Sequence, residues 1–228
     1  MDSNGISLIV MTIVVIFLVS WIVAGWLEAR RREAFRTLAG ELGLTYSPDR
    51  DRSLAERYSF LNLLDQGENR YAQHIFTGMY DGLPVTAFEY HYETSSRSSK
   101  GGRTVHHHYL SVFLTAVPGP VPEMTIRPEG FFSKIAQAFG YDDIDFESAE
   151  FSREYCVRSR DKRFAYDVCH PAAIEFLLRC SGVDIEIEGY EMAFIKEYGL
   201  QRLEVAGNLA LLTRFRHLWP AHLNEIRA

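Results

Sequence analysis

The sequence lacks the short motifs that commonly identify an enzyme or a cofactor-binding protein. No G-x-S-x-G, H-E-x-x-H, G-x-x-x-x-G-K or G-x-G-x-x-G pattern occurs in it. Cysteine is scarce: the 3 cysteines, Cys156, Cys169 and Cys180, are an odd number without a CxxC pair, which excludes a disulfide framework. We therefore predict no cofactor and interpret the thiols as small buried apolar groups. Whether the chain is an enzyme is left open by its sequence.

Basic residues are outnumbered by acidic ones, 24 against 30, which gives a formal net charge of -6. A nucleic-acid interface needs a basic surface that neutralises phosphates. Nucleic acid is therefore excluded as a predicted partner. The chain also has no Asn-x-Ser/Thr glycosylation sequon, which is consistent with a cytoplasmic location.

A long apolar run stands near the N-terminus. Residues 6–26 carry no charge, and every face of their helical projection is apolar. At a rise of ~1.5 Å per residue, this run matches the ~30 Å hydrocarbon core of a bilayer. The leader MDSNG has no Lys or Arg, which argues against a cleaved signal peptide. We predict one transmembrane helix at residues 6–26, with residues 1–5 outside the cytoplasm.

A basic segment follows the apolar run directly, with Arg30, Arg31, Arg32 and Arg36. Positively charged flanks stay on the cytoplasmic side of a membrane. The sequence thus predicts a single-pass protein of the plasma (inner) membrane with a cytoplasmic C-terminal domain. Residues 27–46 are expected to form a basic juxtamembrane stem whose helix Gly43 can close, and its four arginines are expected to bind anionic lipid headgroups.

Residues 58–219 are predicted to form one α+β domain. Two runs rich in aromatic and β-branched residues, 71–80 and 83–93, flank Asp81-Gly82, which is a strong hairpin signal. A third strand at 105–117 completes an antiparallel meander. Strands and helices come in runs rather than in strict alternation, which is typical of the α+β class with several helices beside an antiparallel sheet.

Turn residues and helical spacing predict the remaining boundaries. Residues 47–57 are expected to be a linker or an exposed turn, and residues 94–103 a flexible loop. Pro118–Pro122 should end the sheet, and Gly189-Tyr190 should form the turn of a second hairpin. We expect helices at 131–139, at 161–180 with a division at Pro171, and at 200–218.

Strand alternation separates the side chains of the segment FEYHYE onto two faces. Its three aromatic residues are expected to be buried. Glu89, His91 and Glu93 are expected to face water.

Several segments carry a resemblance to a known group of proteins. They are FTGMYDGLPVTAFEYHYET, IRPEGFFSKIAQAFG and DIDFESAEFSREYCVRSRDKRFAYDV. Their order resembles uncharacterised bacterial membrane-anchored proteins with a domain of unknown function, in which a hairpin feeds an FDY-Y strand and ES-EF precedes V-D-RFA. The resemblance covers roughly residues 34–189, with Glu89 where that pattern more often has Asp. It implies a membrane anchor and a bacterial source, and it implies no activity.

Three adjacent histidines raise the question of a metal site. Alternation puts His106 and His108 on one face of the third strand, where a neighbouring strand carrying Glu89 and His91 can complete a His/carboxylate set. The alternative interpretation is a solvated strand end beside a loop.

The sequence favours a membrane-tethered cytoplasmic interaction module that binds an unknown protein or a lipid surface. The alternative is a metal-binding or enzymatic domain that uses His106, His108, Glu89 and His91. Convergence of these four side chains in a pocket would favour the alternative, and outward splay would favour the interaction module.

Overall fold

One helix of 40 residues, α1 (Ser3–Leu42), joins the apolar run to the folded domain. The computed structural model describes residues 3–97, 101–129, 142–180 and 182–224, with side chains from residue 11 onward except those of residues 62 and 224. All side chains from Met11 to Leu27 are exposed, and α1 is long and apolar enough to cross a membrane. The predicted anchor and stem thus form a single helix.

The helix ends at Leu42 rather than at residue 46. Gly43 has a φ of 68°, a conformation that terminates helices, and the chain then enters strand β1 (Thr45–Ser47). The helix thus closes at the glycine expected to end it, and the predicted bound of the stem at residue 46 was too long.

The domain is built on a six-stranded antiparallel sheet. The strands pair in the order β1-β2-β3-β4-β5, and β6 pairs with β4. The other bounds are β2 (Glu68–Tyr80), β3 (Leu83–Arg97), β4 (Arg103–Pro128), β5 (Tyr155–Ser159) and β6 (Asp184–Lys196). The long strand β4 pairs with β3 along its first half, with β5 near its end, and with β6 on its other edge. The predicted α+β class and antiparallel meander are confirmed.

The Asp81-Gly82 hairpin forms as predicted. Tyr80 pairs with Leu83, and both turn residues have a positive φ, 49° and 76°. This geometry is that of the two-residue turn whose twist matches the flanking strands.

Two predicted breaks in the sheet are absent from the described chain. Strand β4 continues through Pro118–Pro122, and β6 continues through Gly189-Tyr190 instead of turning back as a hairpin. The two irregular stretches face each other: Val121 pairs with Gly189, and the register shifts on both sides of this pair. A bulge tolerates prolines that a regular ladder would exclude, so the sheet bends here without ending.

The segment 47–57 is packed against the sheet and is not a free linker. Asp51 and Ala72 exchange two backbone hydrogen bonds of 2.8 Å, and Leu54 is buried at the start of the short helix α2 (Leu54–Arg57). The expected loop at 94–103 is also shorter than predicted, because Arg97 already pairs with Arg103.

The remaining helices are α3 (Ala149–Glu154), α4 (Lys162–Val168), α5 (Pro171–Arg179), α6 (Arg202–His217) and α7 (Ala221–Asn224). Pro171 is the first residue of α5 and separates it from α4, as expected. The predicted helix at 131–139 lies outside the described residues. On one face of the sheet, α1 contributes Phe35, Leu38 and Ala39 to the larger hydrophobic core. A second core lies around Leu54, Phe88 and Tyr90.

Candidate functional site

The side of β3 that was expected to face water is buried at two positions. Glu89 is 1% exposed and His91 is 2% exposed. The prediction of a wet face was therefore wrong at these two positions. Its physical reason is that strand alternation separates two faces of a sheet but does not determine which of them another element covers.

Glu89 is the centre of a hydrogen-bond network that ties α1 to the sheet. Arg31 Nη2 lies 2.5 Å from Glu89 Oε2, and Arg31 Nη1 lies 3.3 Å from Oε1. Gln73 Nε2 donates to Oε1 at 2.7 Å, and the backbone N–H of Leu200 donates to Oε2 at 2.8 Å. Four donors thus satisfy the buried carboxylate, which burial alone would strongly disfavour.

Arg31 also reaches the chain between β6 and α6. Its Nη2 donates to the carbonyl of Leu200 at 2.8 Å. The adjacent Gly199 is in close contact with the network, because a Cβ added there would lie 2.6 Å from Glu89 Oε2. The network therefore joins the juxtamembrane part of α1, strands β2 and β3, and the start of the C-terminal helical region.

The four arginines predicted to meet lipid headgroups have different surroundings. Arg31 binds Glu89, Arg32 Nε pairs with Glu28 at 2.8 Å, and Arg36 pairs with Glu33 at 2.5 Å. The guanidinium of Arg30 lies 4.2 Å from the centre of the Trp26 ring. Carboxylates of the chain itself thus offset three of these charges. Lipid binding by Arg30, Arg31, Arg32 and Arg36 stays a prediction.

His74 lies under α1 beside this network. Its backbone φ of 52° is unusual for a residue other than glycine, and its ring is buried 5.0 Å from the ring of Phe35. Burial, reinforced by the charge of Arg31, lowers the pKa of His74. Burial also raises the pKa of Tyr46 to about 12, and its hydroxyl shares a 2.7 Å hydrogen bond with His74 Nδ1. The other ring nitrogen, Nε2, lies 3.5 Å from Glu28 Oε1.

An open polar cavity of about 460 Å³ lies between α1 and the sheet. Its walls include Arg31, Arg32, Arg50, Tyr71 and Tyr109. This volume is within the range of small-molecule sites, although such sites are mostly apolar. The mixture of basic and acidic walls makes the cavity suited to polar ligands.

The predicted metal ligands do not come together as a set. In the pairing of β3 with β4, His108 lies opposite Tyr92 and His106 opposite Thr94, on the face away from Glu89 and His91. His108 stacks on Tyr92 and shares a 2.8 Å hydrogen bond with Thr94 Oγ1. His106 is bonded to Ser96 Oγ at 3.2 Å. Glu89 is held by Arg31.

His107 is the histidine that the structure places next to His91. Its Nδ1 lies 3.0 Å from His91 Nε2 and 3.4 Å from Glu93 Oε1. The sequence contained a signal for this arrangement. The length of the hairpin sets the register of β3 with β4, and this register decides which histidine lies next to His91. Our prediction relied on alternation within one strand and missed the register between two.

A second buried ionic cluster joins β4 to β6. Arg127 Nη2 lies 2.5 Å from Glu186 Oε1, and Arg127 Nε lies 3.3 Å from Asp184 Oδ1. Burial raises the pKa of Asp184 to about 6, against the opposing effect of Arg127. The visible signal was the run DIEIE at 184–188, in which three carboxylates alternate with isoleucines, and we did not predict this cluster.

Burial raises the pKa of all three thiols, which makes them poor nucleophiles. Only Cys169 is buried as predicted, because Cys156 and Cys180 are half-buried. Cys169 is fully buried, which raises the pKa of its thiol and keeps it protonated. The adjacent His170 bonds through Nε2 to the carbonyl of Leu218 at 2.7 Å. Burial and a hydrogen bond to Asp143 raise the pKa of Cys156 to about 12.

Comparison with known proteins gives one informative similarity. No protein-family model and no curated protein matches the chain. The crystal structure of the mycobacterial trehalose monomycolate transport factor A, TtfA, is similar to it with a TM-score of 0.58 at 16% sequence identity. The similarity covers 82% of this chain and 92% of that chain. At this level of identity, the comparison shows that the two chains share a fold.

Proposed function

We propose that this chain is a membrane-tethered interaction module that holds its α+β domain at the cytoplasmic face of the plasma membrane and binds a protein of a membrane transport system. The observation that carries this proposal is the continuity of α1. The same helix supplies the membrane-spanning segment and, through Phe35, Leu38 and Ala39, part of the domain core. The domain is therefore mounted rigidly on its anchor rather than suspended from a flexible linker.

The charges around the anchor support the proposed orientation. Arg30, Arg32 and Arg36 stand on the exposed surface of α1 just after the apolar run, where the positive-inside rule places the cytoplasm. The similarity in fold to a protein named as a transport factor supports a partner in membrane transport. The alternative metal-binding or enzymatic role based on His106, His108, Glu89 and His91 loses its support, because these side chains point to two faces of the sheet.

One side of the domain is favoured for the partner. Phe35 of α1 contacts Phe76 of β2, and Glu28, which is nearer to the anchor, lies near His74. The anchor therefore lies toward the Glu68 end of β2, which pairs with the Glu93 end of β3. Tyr109 and Tyr198 are partly exposed beside the Glu89 network at this anchor-side part of the sheet. Aromatic side chains are enriched in protein interfaces.

Site-specific photocrosslinking in native membranes tests this function. We expect benzoylphenylalanine at Tyr109 or Tyr198 to crosslink one integral membrane protein, identified by mass spectrometry. Tyr190 is the matched control, because it is equally aromatic, is exposed, and lies on β6 at the other end of the sheet. Equal crosslinking from Tyr190, or none from either anchor-side position, would contradict the proposal. Digestion of the domain by protease added to intact cells would contradict its orientation.

A further inference from the structure

We propose that the anchor-side end of the β3–β4 hairpin binds a divalent transition-metal ion, with zinc preferred, through His91, Glu93 and His107. The three side chains share one face of the hairpin, since Glu93 pairs with His107 and His91 pairs with Tyr109. This site does not depend on the proposed interaction function.

The distances suit a metal ion. One ligand atom from each of the three residues can be chosen so that all lie within 4.8 Å of one another. Two ligand atoms at about 2.0–2.1 Å from a tetrahedral zinc ion are separated by about 3.3 Å. His107 Nδ1 is 3.4 Å from Glu93 Oε1 and 3.0 Å from His91 Nε2. Binding therefore requires the two imidazoles to separate by only a few tenths of an ångström.

Asn69 orients two of the proposed ligands, His91 and Glu93. The carbonyl of Asn69 lies 3.3 Å from His91 Nδ1, so this nitrogen carries the proton and His91 Nε2 presents its lone pair toward His107. The side-chain amide of Asn69 donates to Glu93 Oε1 at 2.7 Å. Asn69 adopts a φ of 51°, in the left-handed region that asparagine tolerates better than most residues. Ligating histidines commonly donate their second N–H to a carbonyl in this way.

Aromatic rings hold His91 in place. Its buried ring is stacked on Tyr71 with a centroid distance of 4.6 Å and lies 5.0 Å from the ring of Tyr109. The side chain of His107 is 55% exposed, which gives an ion access from solvent. On binding, the metal takes the place of the hydrogen bond between the two rings, and the proton of His107 moves to its exposed Nε2.

The ligand set indicates the class of ion. Two imidazoles and one carboxylate suit zinc and neighbouring first-row metals rather than calcium or magnesium, which prefer oxygen ligands alone. Three protein ligands leave a fourth tetrahedral position for water. The site thus has the coordination of an open zinc centre.

The test uses the purified full-length protein in detergent micelles, freed of metal with a chelator. Cobalt(II) titration followed by visible absorption, and zinc titration against a competing chelator, report stoichiometry and affinity. We expect one ion per chain, with binding weakened at least about tenfold in His107→Ala and in Glu93→Gln. The matched controls are His106→Ala and His108→Ala, the neighbours of His107 that face away from His91. They should leave affinity unchanged.

A further variant tests the positioning role of Asn69. Asn69→Gly keeps a residue that accepts the positive φ but removes the amide that holds Glu93. We expect it to retain one ion per chain with weaker binding and an altered cobalt spectrum. The proposal is overturned if the wild-type protein binds no ion, or if binding survives His107→Ala but is lost in the His106 and His108 variants. Because these measurements use isolated protein, their failure leaves the crosslinking result unaffected, and the reverse also holds.

Discussion

The two halves of α1 meet different environments within one uninterrupted helix. From Met11 to Leu27 every side chain is exposed, and the apolar ones surround the helix. From Arg31 onward only one side is apolar, and it is buried against the sheet through Phe35, Leu38 and Ala39. The comparison teaches that the anchor half determines where the protein resides, while the docked half contributes to the stability of the domain. Substitutions of the same kind in the two halves should therefore have different effects.

The largest difference is expected between two phenylalanines of this helix. Phe35 is 1% exposed and packs edge-on against Phe76, whereas Phe17 is 72% exposed in the anchor half. Phe35→Ala removes a buried ring and leaves a cavity, which should lower the free energy of unfolding of the domain by about 3–5 kcal/mol. Phe17→Ala should leave it unchanged. Denaturant unfolding of the full-length protein in micelles, followed by circular dichroism, measures both.

Equal destabilisation by both variants would show that the anchor half also packs on the domain. No effect from Phe35→Ala would show that α1 is not part of the core, and the rigid mounting on which the proposed function depends would be lost with it.

A smaller difference is expected between two glutamates that pair with arginines of α1. Glu89 is buried and accepts from Arg31, Gln73 and the N–H of Leu200. Glu33 pairs with Arg36 on the exposed surface. Glu89→Ala leaves a buried donor without its acceptor and should cost about 2–3 kcal/mol of stability. Glu33→Ala should stay within about 0.5 kcal/mol of the wild type.

A double-mutant cycle separates the ion pair from the rest of this network. If Arg31 acts through Glu89, the costs of Arg31→Ala and Glu89→Ala should fail to add by at least about 0.5 kcal/mol. Additive costs would mean that Glu89 stabilises the domain only through its hydrogen bonds with Gln73 and Leu200. The docked half of α1 would then be held by its apolar contacts.

The elements that were predicted correctly from the sequence are those with local signals. The anchor follows from an uncharged run, and the first hairpin from Asp81-Gly82 between two β-rich segments. The continuity of β4 through Pro118–Pro122 was missed, because proline interrupts a regular ladder and nothing local reveals that β6 stays paired with β4 across a bulge in β4. The helix end at Leu42 is local in origin too, because Gly43 follows it.

The candidate site was less predictable because its contacts are long-range. Arg31 and Glu89 are 58 residues apart, and each looked like a solvated charge within its own segment. His91 and His107 were visible as residue types, but their meeting depends on the register of β3 with β4. A charged residue on a β-strand thus faces either solvent or a buried partner of opposite charge. For Glu89, the packing of α1 decides between the two.

The smallest predicted effect concerns the dependence of stability on pH beneath the docked half. His74 faces Tyr46, Glu28, Arg31, Arg32 and Glu89, and burial holds its pKa below the ordinary value near 6.5. The unfolded chain therefore takes up a proton at a higher pH than the folded one, so this contribution to stability is complete above pH ~6.5 and is lost as the pH falls below it. His74→Asn keeps a residue that accepts the positive φ and removes the titrating ring. Denaturant unfolding at a series of pH values should show that the free energy of unfolding falls less steeply with acid in His74→Asn than in the wild type. Identical slopes would contradict a contribution of His74 to the pH dependence of stability.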